Sequence, residues 1–159
     1  MVEFPKVGNL APAFSLIADD GSRVSLKSFK GKNHVVLYFY PRAMTPGCTN
    51  QACGIRDSYS KFKRQGVVVL GVSPDSVSRL EKFKEKEKLN FKLLSDEDHA
   101  IAEKYGAWGL KRNYGKEYMG ILRSTFIIGK DGKLKHVFSK VNTKTHDADV
   151  LAWLKEHLL

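Results

Sequence analysis

The sequence predicts an α/β fold with a central mixed β-sheet flanked by helices, and three observations lead there. HVVLYFY (His34 to Tyr40) and VVVLGVS (Val67 to Ser73) are β-branched and aromatic runs, apolar at nearly every position, as strands covered on both faces must be. Each is followed by a segment whose apolar residues recur at helical spacing. RSTFIIG (Arg123 to Gly129) and LKHVFS (Leu134 to Ser139) flank the turn KDGK, the pattern of a hairpin, so strands of both directions share the fold.

The remaining elements follow in chain order. AFSLI (Ala13 to Ile17) and SRVSL (Ser22 to Leu26), separated by the turn residues Asp19, Asp20 and Gly21, read as a short N-terminal hairpin. After the first central strand, Thr45, Pro46 and Gly47 open a helix that runs to about Arg64: threonine is a good N-cap, and proline suits a first helical position whose N–H would be unpaired anyway. A helix from about Ser76 to Lys88 follows the second strand, FKLLSD (Phe91 to Asp96) is a third strand, and Glu97 to Tyr105 a short helix. SDEDH (Ser95 to His99) is expected as a Ser cap with acids in the first helical turn rather than as metal ligands.

Gly106 to Leu122 reads as an unusually long connection, rich in aromatics and glycine, and connections of that length are functional or mobile. Trp108 and the tyrosines at 105, 114 and 118 are expected there as packing or loop anchors, and His34, His136, His146 and His157 have no partner pattern. Asp147 to His157 closes the chain as a helix. The order matches a thioredoxin-like arrangement with an N-terminal β-hairpin extension.

With 159 residues, no repeat and no linker-like stretch, one domain over 1–159 is expected. Composition, 42% hydrophobic and 28% charged, is that of a soluble globular protein. MVEFPKVGNLAPAFSL lacks the pattern of a secretory signal, and no apolar run approaches the ~20 residues of a membrane span, so the cytoplasm is the expected location. A formal charge of +10 admits nucleic acid or anionic partners. Yet lysines alternate with acids, as in EKFKEKEK (Glu81 to Lys88), which is a solvated helix face, so neither nucleic acid nor membrane is expected.

Both cysteines of the chain, Cys48 and Cys53, fall in YFYPRAMTPGCTNQACG (Tyr38 to Gly54). A reducing compartment makes a permanent disulfide improbable. Cys48, Ala52, Ile55, Tyr59 and Phe62 form one apolar helix face, which turns Cys48 toward the sheet in the first helical turn. A sulfur there meets the positive end of the helix macrodipole and unpaired backbone N–H groups, a setting that favours the thiolate. Cys53 is five residues on, about 140° around the helix and about 8.6 Å away between Cα atoms, whereas a disulfide needs roughly 7 Å or less. The spacing therefore keeps the sulfurs apart until the first turns unwind. C-x4-C lacks the second ligand pair of a zinc site and is not a C-x-x-C redox motif. A reactive thiol is favoured over an inert one, and its reactant stays open.

PRAMTPGCT fits the P-x-x-x-T-x-x-C signature of peroxiredoxins, and TPGCTNQAC is similar to the subgroup called bacterioferritin comigratory protein, or peroxiredoxin Q. The resemblance extends through LGVSPD, LLSDEDH, YGAWG, RSTFIIGKDGK and WLKEHL. It implies Cys48 as peroxidatic cysteine, Cys53 as resolving cysteine, Pro41 as a shield over the sulfur, Thr45 as a hydrogen-bond partner of bound peroxide and Arg123 as the cation against the thiolate. Taken singly, Thr45 is an N-cap, Pro41 a strand terminator and Arg123 a surface cation; the signature reassigns them together. Gln51 stands where many relatives carry Glu. Members of the group differ in their resolving cysteine: some lack one, others hold it on the next helix, and that helix here carries none, which leaves Cys53 as the only internal candidate.

The resemblance thus implies a thiol peroxidase acting on hydrogen peroxide and organic hydroperoxides, with a Cys48–Cys53 disulfide, thioredoxin as reductant, no metal, haem or flavin cofactor, and a monomeric state. A thiol–disulfide oxidoreductase acting on protein substrates is the rival reading, which the absence of C-x-x-C and the presence of Thr45 oppose. A basic nucleic-acid-binding module is supported by net charge alone.

Overall fold

The computed structural model describes residues 3–158; residues 1, 2 and 159 of the expected unit lie outside them. Nine strands and four α-helices follow one another as β1 (Ser15–Ala18), β2 (Arg23–Ser25), β3 (His34–Phe39), α1 (Pro46–Arg64), β4 (Val67–Ser73), α2 (Val77–Glu87), β5 (Lys92–Ser95), α3 (Ala100–Lys104), β6 (Trp108–Asn113), β7 (Lys116–Ile121), β8 (Ser124–Ile128), β9 (Leu134–Phe138) and α4 (His146–His157). Seven strands form one sheet in the order β2-β1-β5-β4-β3-β8-β9. The centre is parallel, β3 with β4 and β4 with β5, and both flanks are antiparallel, β3 with β8 and β5 with β1. This is the mixed sheet that the apolar runs predict, and the N-terminal hairpin extends it through β5.

Alternation along β3 divides the core. Val35, Leu37 and Phe39 face a layer made by α3, Phe14, Leu26 and Phe126. Val36, Tyr38 and Tyr40 face α1, α2 and α4, whose Cys48, Ala52, Ile55, Phe62, Leu80, Phe83, Val150 and Leu154 are buried. Of the predicted inward face of α1, only Tyr59 is partly exposed. Tyr38 lies flat over its register partner Gly71, where a Cβ would come within 2.9 Å of the ring, so a side chain at 71 would displace the tyrosine beneath α1.

Three expectations need correction. The stretch from Gly106 to Leu122 is not an irregular loop but the hairpin β6–β7, turned at Tyr114 (φ 51°) and Gly115 (φ 77°). Two successive left-handed residues make the tight turn that matches strand twist, and glycine at the second of them is its sequence mark. Thr45 precedes α1, but its side chain caps nothing; its hydroxyl donates to Arg42 O at 2.8 Å. Ser95 does not cap the short helix either: Asp96 accepts from the N–H groups of Ile101 and Ala102, while Ser95 donates to Asp75 O.

Candidate active site

Cys48, Gln51 and Arg123 meet where the carboxyl end of β3 hands over to α1. Cys48 is the third residue of α1, among backbone N–H groups that have no intrahelical acceptor. Its side chain is 1% exposed, and its Sγ accepts a hydrogen bond from Arg123 Nη2 at 3.3 Å. Arg123 precedes β8, which lies next to β3, so sheet pairing carries the guanidinium to the sulfur. Its other arm, Nη1, donates to Gln51 Oε1 at 2.5 Å.

The chain of contacts continues inward. Arginine can only donate, so the Gln51 oxygen faces Arg123 and the amide nitrogen faces His146 Nδ1, at 3.2 Å. Burial pushes His146 down to about 4, which leaves the ring neutral at pH 7. With Nδ1 accepting, Nε2 carries the proton and donates to Thr125 Oγ1 at 2.8 Å. Arg123 is thus oriented by a buried, uncharged relay. The histidine expected to be partnerless anchors it, drawing on residues 95 and 21 positions away.

The loop between β3 and α1 is gripped separately. Asp75 Oδ2 accepts from Ala43 N at 2.8 Å, and Arg79 Nη2 donates to Ala43 O at 2.7 Å, so one residue is held by both ends of its backbone. Arg79 Nε and Asp75 Oδ1 form an ion pair at 3.0 Å, and Ser73 Oγ donates to Asp75 at 2.7 Å. The next residue, Met44, sits at φ +66°, a conformation costing about 1 to 3 kcal/mol that persists only when its surroundings impose it. Sequence reading missed Asp75 and Arg79; their one visible signal is an acid just beyond the carboxyl end of a parallel strand. Asp75→Ala is expected to cost about 2 to 3 kcal/mol, because it leaves the Arg79 charge without its carboxylate and the Ala43 N–H without its acceptor. Urea denaturation measures this.

Pro41 is half-buried at the end of β3, and Thr45 is half-buried just before α1. Because the Thr45 hydroxyl proton is committed to Arg42 O, its oxygen is free to accept a further hydrogen bond. Cys53 is half-buried on the same continuous helix as Cys48; the two thiols are not joined, and burial pushes the Cys53 thiol up. Beneath Cys48, the hydroxyls of Tyr38 and Tyr40 are buried without partners, and burial raises both, so neither phenol supplies a charge. The site therefore offers one buried sulfur, one oriented cation and a second thiol out of bonding reach. Among the described residues, no group of three or more His, Cys, Asp or Glu could hold a metal ion, and no helix is long and apolar enough to cross a membrane.

Comparison with known proteins bears on this arrangement. The model of the AhpC/TSA family matches residues 7–137. Peroxiredoxin Bcp of Escherichia coli K12 is 54% identical over 152 residues, covering 96% of this chain and 97% of that protein. Peroxiredoxin Bcp of Bacillus subtilis is 50% identical over 151 residues, covering 95% and 96%. Among solved structures, the bacterioferritin comigratory protein of Xanthomonas campestris, described by its alkyl peroxide reduction activity, superposes with a TM-score of 0.88 at 33% identity, covering 96% of this chain and 99% of that one. A PrxQ mutant from Xylella fastidiosa gives 0.92 at 28% identity, covering 99% of both chains. The sheet is accordingly thioredoxin-like, and the chain belongs to the AhpC/TSA family as a peroxiredoxin of the Bcp and Q group.

Proposed function

We propose that this thiol peroxidase reduces hydrogen peroxide and organic hydroperoxides through Cys48, with Cys53 as the resolving thiol and thioredoxin as the dithiol reductant. The observation that carries the reading is the Arg123 guanidinium 3.3 Å from a buried Cys48 Sγ in the first turn of α1, with a second free thiol five residues on. The organic half of the substrate class is supported by the alkyl peroxide reduction of the Xanthomonas relative.

Each residue has a task in the attack. The Cys48 thiolate attacks the nearer oxygen of the O–O bond and keeps it as sulfenic acid, while the farther oxygen departs as hydroxide or alkoxide and takes up a proton from solvent to leave as water or an alcohol. Arg123 holds the thiolate and stabilises the charge that grows on the oxygens as the bond breaks. Thr45 Oγ accepts the hydrogen of the peroxide hydroxyl, which aligns the O–O bond with the sulfur. Pro41 shields the sulfur from bulk water. Cys53 then condenses with the sulfenic acid, releasing water, and thioredoxin returns two electrons by thiol–disulfide exchange. A reducing cytoplasm and a monomer suit this cycle.

Cys53→Ser separates its halves. The variant is expected to consume one equivalent of peroxide at close to the wild-type rate, because attack needs only the first sulfur, and then to stop. Intact mass after one equivalent of peroxide reads the outcome directly: the wild type loses two hydrogens, and the variant gains one oxygen. Sustained thioredoxin turnover by Cys53→Ser would mean that the sulfenic acid is reduced without a Cys48–Cys53 disulfide.

A further inference from the structure

His146 is the first residue of α4, it is buried, and each of its ring nitrogens is bonded to a different element. Nδ1 accepts from Gln51 on α1, and Nε2 donates to Thr125 on β8. Thr125 lies two residues beyond Arg123, whose guanidinium returns to Gln51. The contacts close a ring: Arg123 to Gln51, Gln51 to His146, His146 to Thr125, and back along the chain to Arg123. The imidazole plane is fixed as well, since the ring of Tyr38, the register partner of Thr125, packs edge-on against it at 5.3 Å. Gln51 is the one member of the ring on α1. It stands three residues past Cys48, on the same side of the helix, so the ring holds the turn that carries the sulfur.

The next residue of α4 holds a different part of α1. Asp147 accepts from Ser58 Oγ, and it comes so near Gly54 that a Cβ there would stand 3.2 Å from Oδ1. Residues 51, 54 and 58 follow at steps of three and four, so the first two residues of α4 grip one face of α1 along two turns. The division falls at Gly54. His146 grips the side that must open before Cys53 can reach Cys48, and Asp147 grips the side that need not. Opening therefore costs the Gln51 bond to His146 and leaves the Ser58 bond to Asp147 in place. Neither partner in the bond that breaks is charged, because burial pushes His146 down to about 4. Its hold is that of one neutral buried hydrogen bond, firm enough to bias the helix and weak enough to open in every cycle.

We propose that His146 is a positioning residue of the peroxidase cycle: acting through Gln51, it holds Cys48 in the helical, Arg123-bonded form that attacks peroxide, and so sets how long the sulfenic acid waits for Cys53. The two half-reactions ask opposite things of α1. Attack needs the first turns folded, with Arg123 oriented on the sulfur, whereas resolution needs them open. A residue that stabilises the folded form alone speeds the first step and slows the second. While it waits, the sulfenic acid has two fates. It loses water as its sulfur bonds to Cys53, or it takes one oxygen from a second peroxide, which leaves as water or an alcohol, and becomes sulfinic acid. The bond from Gln51 to His146 shifts that balance toward the second fate.

The inference rests on the roles proposed above for Cys48 and Cys53, and the test separates the two. His146→Leu removes both ring bonds, whereas His146→Asn keeps an acceptor at the Nδ1 position for Gln51 and loses the reach to Thr125. In single-turnover oxidation followed by intact mass, His146→Leu is expected to slow the attack on peroxide about fivefold and to quicken disulfide formation about fivefold, with less sulfinic acid at excess peroxide. Amide exchange from Thr45 to Gly54 in its reduced form should quicken by a similar factor. His146→Asn should bring each rate back to within about twofold of wild type. In a Gln51→Leu background, His146→Leu should change neither rate further, because its effect passes through Gln51. Should His146→Leu not fold, His146→Gln, which keeps the Thr125 side and lacks the acceptor for Gln51, takes its place with the same expected signs. Both rates falling together, or neither moving, overturns the assignment and makes His146 a residue of the core alone. A His146→Asn variant as altered as His146→Leu also overturns it, as do additive effects in the Gln51→Leu background. A wild type that stalls with one added oxygen removes Cys53 from the cycle, and the inference falls with it. A wild type that closes the disulfide beside an unaltered His146→Leu overturns the inference alone and leaves the proposed function standing.

Discussion

Cys48→Ser is expected to abolish peroxide turnover, a loss of about 10⁴-fold or more, with the fold intact. In the proposed cycle the first step is displacement on oxygen by a thiolate, and a hydroxyl is far less acidic and far less nucleophilic than a thiol. The surroundings cannot make up the difference, since Arg123 stabilises a charge that serine hardly develops. Nor can Cys53 take over: it lacks a guanidinium hydrogen bond among the described residues, it stands five residues along α1, and burial pushes its thiol up, so little of it is thiolate at neutral pH. Serine is nearly isosteric in this buried position, so circular dichroism and thermal unfolding should match the wild type. Peroxide consumption near the wild-type rate in the folded variant would remove Cys48 from the chemistry.

What can be read from the sequence here is what local periodicity encodes. The strands β3 and β4 are legible because residues covered on both faces must be apolar throughout, and the inward stripe of α1 is legible because its spacing is helical. The place of Cys48, on the sheet side of a first helical turn, follows from that spacing alone. The β6–β7 hairpin is not legible, since its strands mix Gly109 and Gly120 with charged residues and expose their outer apolar pairs, so neither period stands out.

The supports of the site are hidden for a different reason. Asp75 grips a peptide 32 residues away, and His146 joins Gln51 across 95 residues; such pairs are fixed by the parallel crossover and by the docking of α4, not by neighbours in sequence. Gln51 stands out in the sequence only as a departure from many relatives. Its function shows in the geometry, where an amide links Arg123 to a neutral histidine by presenting an acceptor to one and a donor to the other. The two cysteines can thus be read from one segment, whereas the residues that orient the site, Gln51 apart, come from three others: 73–79, 123–125 and His146.

The second large effect concerns α1. Ideal helical spacing holds the Cα atoms of Cys48 and Cys53 about 8.6 Å apart, beyond the roughly 7 Å that a disulfide spans, so oxidation is expected to unwind the segment from about Thr45 to Gly54. Unwinding breaks the Arg123 contacts to Cys48 and Gln51 and the Gln51 contact to His146. The rest of the helix has reasons to stay. Ser58 donates to Asp147 on α4 at 2.5 Å, and Ile55 and Phe62 are buried against the sheet. Gly54 sits at the boundary, where glycine weakens a helix interior by about 1 kcal/mol relative to alanine. In the disulfide form, amide exchange from Thr45 to Gly54 should therefore quicken by about two orders of magnitude or more, while β3 and β4 keep their protection. The unwound segment would expose the disulfide to its reductant, and reduction would let α1 re-form with Cys48 back against Arg123. Stiffening the folded helix should have the opposite consequence. Asn50 is exposed in the interior of the segment, and Asn50→Ala, which favours helix by about half a kcal/mol, should slow disulfide formation about twofold. Its sulfenic acid waits longer for Cys53, so excess peroxide should convert more Cys48 to sulfinic acid, measured as a gain of two oxygens in intact mass. Equal exchange across Thr45 to Gly54 in the reduced and disulfide forms would refute the unwinding while leaving the peroxidase chemistry in place.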